Sequence, residues 1–200
     1  MQPGTVDLAT APAAPSTPVL RDPRELAAGL QVAVGGELAL QLALTATGGT
    51  RGPLAWARPL LALFVLIACT VMLCWLRRCR LNAQALAPDA HRYSPGFAVA
   101  GWFIPVAMWW IPRRVVLDVR RASGLGGRTW LVEGWWWTRL AKIPVAVALG
   151  VSGTTSGYML APQFVPFNVV SAILLVLTVR EITAAQAQRL GPGARPSRGT

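Results

Sequence analysis

Polar residues divide an otherwise apolar chain into five runs. The first, residues 26–47 (LAAGLQVAVGGELALQLALTAT), is long enough to cross a bilayer but carries Gln31, Glu37 and Gln41. The second, 59–76 (PLLALFVLIACTVMLCWL), has no charge and stops at Arg77, Arg78 and Arg80. Trp56 and Trp75 bracket it. At 1.5 Å per helical residue they lie about 28 Å apart, close to the hydrocarbon thickness, which predicts an indole at each interface. The third run, 95–112 (PGFAVAGWFIPVAMWWIP), is cut by Pro95, Pro105 and Pro112. Pro105 removes a mid-helix hydrogen bond and predicts a break. A fourth crossing is predicted at about 132–151 and a fifth segment at about 160–179, with the polar SGTTSG of 152–157 as the turn between them.

Between the third and fourth runs, RRVVLDVRRAS (113–123) puts Val115, Val119 and Ala122 on one helical face. Arg114, Asp118 and Arg121 fall on another at ion-pair spacing. The pattern predicts a basic amphipathic helix lying on an anionic leaflet. Residues 1–25, rich in Pro and Ala, and 187–200, rich in Gly, Pro and Arg, read as disordered tails around a membrane domain at 26–186. With no basic stretch leading into an apolar one at the start, no cleavable signal peptide is expected.

Composition supports the membrane reading. The chain is 54% apolar and 14% charged, with mean hydropathy +0.46, whereas a soluble domain is about 25% charged. Net charge is +11. A basic soluble chain would suggest nucleic acid, but these arginines flank apolar runs, as leaflet sorting requires. A single His leaves no multi-His metal site. Cys69, Cys74 and Cys79 lie five apart, about 140° around a helix, so neighbours cannot share a ligand. They read as reduced packing residues, and no metal or cofactor is expected.

The arginines also weigh two topologies. If all five runs cross, the better orientation leaves Arg21, Arg24, Arg77, Arg78, Arg80 and Arg92 outside. If the third run enters and returns on one side, only Arg51 and Arg58 lie outside. The positive-inside rule favours the second arrangement. The fold expected is therefore an all-α membrane bundle of four crossings plus a Pro-broken re-entrant or interfacial segment, both termini cytoplasmic; five crossings are the alternative.

The stretches WLRRCRLNAQAL (75–86), HRYSPGFAVAGWFIPVAMWWIP (91–112) and VVLDVRRAS (115–123) resemble the core of the bacterial membrane family labelled domain of unknown function 4328. Trp135-Trp136-Trp137 and the closing VREITAAQ (179–186) are similar as well. The resemblance spans about residues 26–186 and implies an uncharacterised, multi-pass membrane protein of a family common in actinobacteria. It implies no activity. Met108-Trp109, Arg113-Arg114 and Asp118 stand where the family often has Asn-Leu, Tyr-Gln and Glu.

Two groups of residues carry candidate chemistry. Glu37 lies near the middle of the first run, and Arg139 and Lys142 near the middle of the fourth. An ionised group at bilayer depth costs several kcal/mol unless paired (about 2.5–3.5 by insertion scales). The three are therefore a candidate intramembrane charge pair, as structural glue or along a polar path, unless they snorkel to an interface. Arg77, Arg78, Arg80, Asn82, Arg92 and Tyr93 form a candidate face for anionic lipid headgroups or a phosphorylated ligand; topology determination plus capping is the simpler explanation of them. The seven Trp between Trp102 and Trp137 read as an interfacial belt before an aromatic pocket. Asp89, His91 and Ser94 have triad residue types, but crowding within six residues is no evidence of triad geometry, and the common catalytic motifs are absent from the sequence, so no enzyme is expected. The leading expectation is a non-enzymatic membrane or scaffold module with a basic cytoplasmic face, its partner the lipid bilayer. The alternative is a small transporter or channel-like subunit using Glu37 with Lys142 or Arg139.

Overall fold

The structure, a computed structural model, describes residues 20–49, 51–87, 94–127, 129–148 and 160–190. Arg92 and Tyr93, Asp89 and His91, the turn at 152–157 and most of both tails lie outside the described residues. The described residues form helices and no strand: α1 Arg24–Ala46, α2 Arg58–Leu86, α3 Pro95–Ala100, α4 Ile111–Ala122, α5 Trp130–Ala148 and α6 Val165–Arg189, with single 3-10 turns at Ala55–Ala57, Ala107–Trp109 and Pro162–Phe164. Helix α1, α2 with its leading turn, and α6 with its leading turn are long and apolar enough to cross a membrane. Helix α5 has the length, at 19 residues, but carries Glu133, Arg139 and Lys142. It also runs through Pro144, which cannot donate to the preceding turn.

The four long helices alternate in direction. The segment leading into α1 meets the end of α2, where the Arg21 amide donates to Asn82 Oδ1 at 3.0 Å. At the opposite end of the bundle, Leu44, Ala57, Leu61 and Leu160 form a small apolar cluster, and Thr45 Oγ1 donates to the Leu160 carbonyl. Helix α5 runs against α6, so Gly134 faces Leu174 and Lys142 faces Asn168. Helix α1 packs on α2, α5 on α6, and the two pairs join along α1 and α6. Gly36 allows the α1–α2 approach: a Cβ there would lie 2.6 Å from the Phe64 ring, the close contact that small residues permit between membrane helices.

Residues 95–112 form no continuous helix. Ser94 Oγ caps α3 by accepting the Phe97 amide. The chain then turns through 101–106, with Gly101 against Ile111, and doubles back into α4. The break predicted at Pro105 falls within this turn.

Several sequence expectations are corrected here. The second apolar run does end at Arg77, but α2 continues to Leu86 and buries Cys79, Asn82 and Ala83. Trp75 is not an interfacial anchor; it is fully buried and its indole donates to Thr183 Oγ1 at 3.0 Å. Helix α4 is more enclosed than an amphipathic surface helix. It buries Asp118 and Arg120 as well as its apolar residues, leaving Arg114 and Arg121 exposed. The physical reason is local charge: Glu181 neutralises Arg120, so that side of the helix can be enclosed. Helix α1 starts at Arg24 and α6 reaches Arg189.

Candidate functional site: a polar knot and an interhelical cavity

The end of the bundle that holds the start of α1 and the ends of α2, α4 and α6 is tied by a buried polar network. Asn82 Nδ2 donates to Gln186 Oε1 at 3.0 Å and to the Arg21 carbonyl at 2.7 Å, while its Oδ1 accepts the Arg21 amide. Gln186 Nε2 donates to Ser123 Oγ and to the Cys79 carbonyl, both at 3.0 Å. Ser123 Oγ donates onward to the Val119 carbonyl at 2.8 Å. Arg120 reaches Glu181 with two nitrogens, at 3.0 and 3.3 Å, and donates to the Leu125 carbonyl. Each group here has a partner, which is what burial demands. Gly124 completes the α4 terminus at φ +80°, with the Arg189 guanidinium in the space a Cβ would take.

The predicted anionic face therefore separates. Arg77 is exposed, and Arg78 donates to the Asp22 carbonyl at 3.1 Å. Arg80 is buried with Asp118 as its opposite charge, and Asn82 is consumed by the knot. They leave α2 on different sides: Arg80 turns toward Asp118 of α4, and Asn82 toward Gln186 of α6 and the Arg21 backbone, so this end of α2 is enclosed on more than one side. Arg92 and Tyr93 lie outside the described residues. The exposed basic residues at this end are instead Arg21, Arg24, Arg77, Arg114, Arg121, Arg180 and Arg189. Arg113 pairs with Glu133 at the start of α5.

The second site lies where the bundle fails to close. Helix α5 packs on α6 but closely on neither α1 nor α2. A cavity of about 520 Å³ fills the gap, lined by all four long helices and by Trp102 and Phe103 from the turn after α3. That volume is within the ~300–1,000 Å³ range of small-ligand sites. Glu37, Arg139 and Lys142 all line it, with Gln41 and Asn168. The three predicted charges are thus gathered, but among the described residues no ion pair within 4.0 Å joins Glu37 to either cation. Lys142 Nζ instead donates to Asn168 Oδ1 at 2.9 Å, and the Arg139 guanidinium stands 6.0 Å from the Trp135 ring. Asn168 was not visible from spacing: it comes from α6, and only the α5–α6 pairing brings it to Lys142.

The cavity has a polarity gradient along its length. Leu30, Val34, Met72 and Leu175 line the half nearer the polar knot, and Gln41, Lys142 and Asn168 the deeper half. The tryptophans divide accordingly. Trp56, Trp109, Trp110, Trp130 and Trp137 are exposed, as an interfacial belt requires, whereas Trp135 is 1% exposed and lies 6.5 Å from Trp102 in the cavity wall. Trp136 is also buried and donates to the Trp109 carbonyl. Among the described residues no group of His, Cys, Asp and Glu could hold a metal ion.

A family model described as a domain of unknown function, DUF4328, covers residues 52–188. No curated protein and no solved structure matches the chain.

Proposed function

The chain belongs to the DUF4328 family, named for a domain of unknown function, and from that premise we propose that it is a non-enzymatic, multi-pass module of the cytoplasmic membrane. Helices α1, α2, α5 and α6 cross. Residues 95–122 enter and return on the cytoplasmic side, where both termini lie. One observation carries the reading: Arg21, Arg24, Arg77, Arg114, Arg121, Arg180 and Arg189 gather at one end of the bundle, while Arg51 and Arg58 alone among described arginines mark the other. Such asymmetry is the positive-inside signature. The exposed rim meets anionic headgroups, each basic residue contributing about 1 kcal/mol near the surface.

Cysteine accessibility tests the topology. In a chain with Cys69, Cys74 and Cys79 replaced by Ala, a membrane-impermeant maleimide applied to intact cells should label Pro53→Cys and spare Gly126→Cys until the membrane is opened. In a five-crossing chain with its start outside, both positions would be shielded, and that result would sink the proposal. The headgroup contact is tested by lipid enrichment. In nanodiscs drawn from mixed bilayers, Arg77→Gln with Arg121→Gln should lower the ratio of anionic to zwitterionic lipid that co-purifies with the chain.

A second reading, a small transporter or channel-like subunit using Glu37, has the shared cavity in its favour. It predicts solute or proton flux in proteoliposomes that Glu37→Gln abolishes. The module reading predicts no flux and a tolerated Glu37→Gln.

A further inference from the structure

The cavity between α2 and α5 holds more donors than acceptors. Trp102 Nε1, Trp135 Nε1 and Asn168 Nδ2 are buried nitrogens without a hydrogen-bond partner, and all three residues line the cavity. An indole N–H can only donate. A buried donor left unmet costs about 1–3 kcal/mol, so three around one space point to acceptors that belong to something bound there. The charges point the same way. Two cations, Arg139 and Lys142, face one carboxylate, Glu37, and an uncompensated charge at bilayer depth is costly. A single negative charge would neutralise the set.

From these observations we infer that the cavity binds an amphiphile with a monoanionic oxyanion head, of the carboxylate type, and an apolar body. The head lies against Lys142, Arg139 and the Asn168 amide. The body runs along Leu30, Val34 and Met72 toward the indoles, about 10 Å away, since Trp135 precedes Lys142 by seven helical residues. The indole N–H groups then serve any oxygen carried along the body. Phe103 is 71% exposed and Ile143 42% exposed. As cavity-lining residues they mark a lateral mouth on the apolar surface of the bundle, so a ligand dissolved in the bilayer can enter sideways. The inference goes beyond the topology above and does not depend on which end of the bundle faces the cytoplasm.

The test is equilibrium binding of radiolabelled laurate to the full chain in zwitterionic nanodiscs, with empty nanodiscs as the partition blank. Laurate should saturate at one per chain. Methyl laurate, which keeps the acceptors and loses the charge, should compete at least about tenfold less well, and dodecylamine should not compete. Lys142→Met should weaken laurate about tenfold and Lys142→Arg should recover most of it. Non-saturable uptake, equal competition by the ester, or preference for the amine would overturn the inference. So would unchanged affinity in a Lys142→Met chain that elutes as wild type. If Lys142→Met does not elute as wild type, the laurate-to-ester ratio of the unmodified chain decides alone.

Discussion

The side-chain amides of Asn82 and Gln186, 104 residues apart in sequence, hydrogen-bond at 3.0 Å in the buried end of the bundle. That contact joins α2 to α6. Through Ser123 and the Arg21 backbone it also takes in α4 and the segment before α1. The residues come from WLRRCRLNAQAL, VVLDVRRAS and VREITAAQ, the stretches that resemble the family.

Truncating either amide leaves buried partners unmet. Asn82→Ala and Gln186→Ala should each destabilise the chain by about 1–3 kcal/mol, read as the thermal midpoint in detergent. The double variant should lose clearly less than the sum, because both singles break one network. Additive losses would show that the two amides do not act together.

Arg120 and Glu181 make a comparable prediction with charge. The Arg120 side chain is 2% exposed and that of Glu181 27%, so removing the carboxylate strands a buried guanidinium. Glu181→Leu should cost about 2–3 kcal/mol, below the full cost of a wholly buried pair because Glu181 retains some exposure. Arg120→Met in the same chain should recover part of that loss. A single variant as stable as wild type would contradict the enclosure of α4.

Close approach at Gly36 is tested by bulk. Gly36→Val should overpack against Phe64 and cost about 1–3 kcal/mol. Adding Phe64→Ala should relieve the clash, though its own cavity will keep the double variant below wild type. If Gly36→Val were harmless, α1 and α2 would not be packed as described.

The Trp75 indole gives a fourth test. Thr183→Val preserves shape and removes its acceptor, so a loss of about 1–3 kcal/mol is expected. Trp75→Phe in the Thr183→Val background should add less than it does alone, since the bond is already gone. Tryptophan exposed at an interface would respond to neither change.

Hydropathy alone located the apolar segments, because a run of uncharged residues must be solvated by lipid or by itself wherever it lies. It located the break at Pro105 too, since a missing amide hydrogen is a property of the residue. Arginine spacing likewise indicated which ends of the helices belong together. Spacing could not say which polar residues point inward. Arg80 and Asn82 look like parts of one basic surface when read with Arg77 and Arg78, yet Arg80 turns to α4 and Asn82 to α6 and the segment before α1. Trp75 and Trp135 look like belt residues for the same reason.

Glu37, Arg139 and Lys142 could be singled out as costly charges from the sequence, but their common cavity could not. It exists because α1 closes on α6 while α2 and α5 stay apart, and pairing between helices distant in sequence leaves no local trace. One-dimensional pattern thus determined which segments leave water. Tertiary packing decided which polar groups find partners and which three donors in the cavity wall do not.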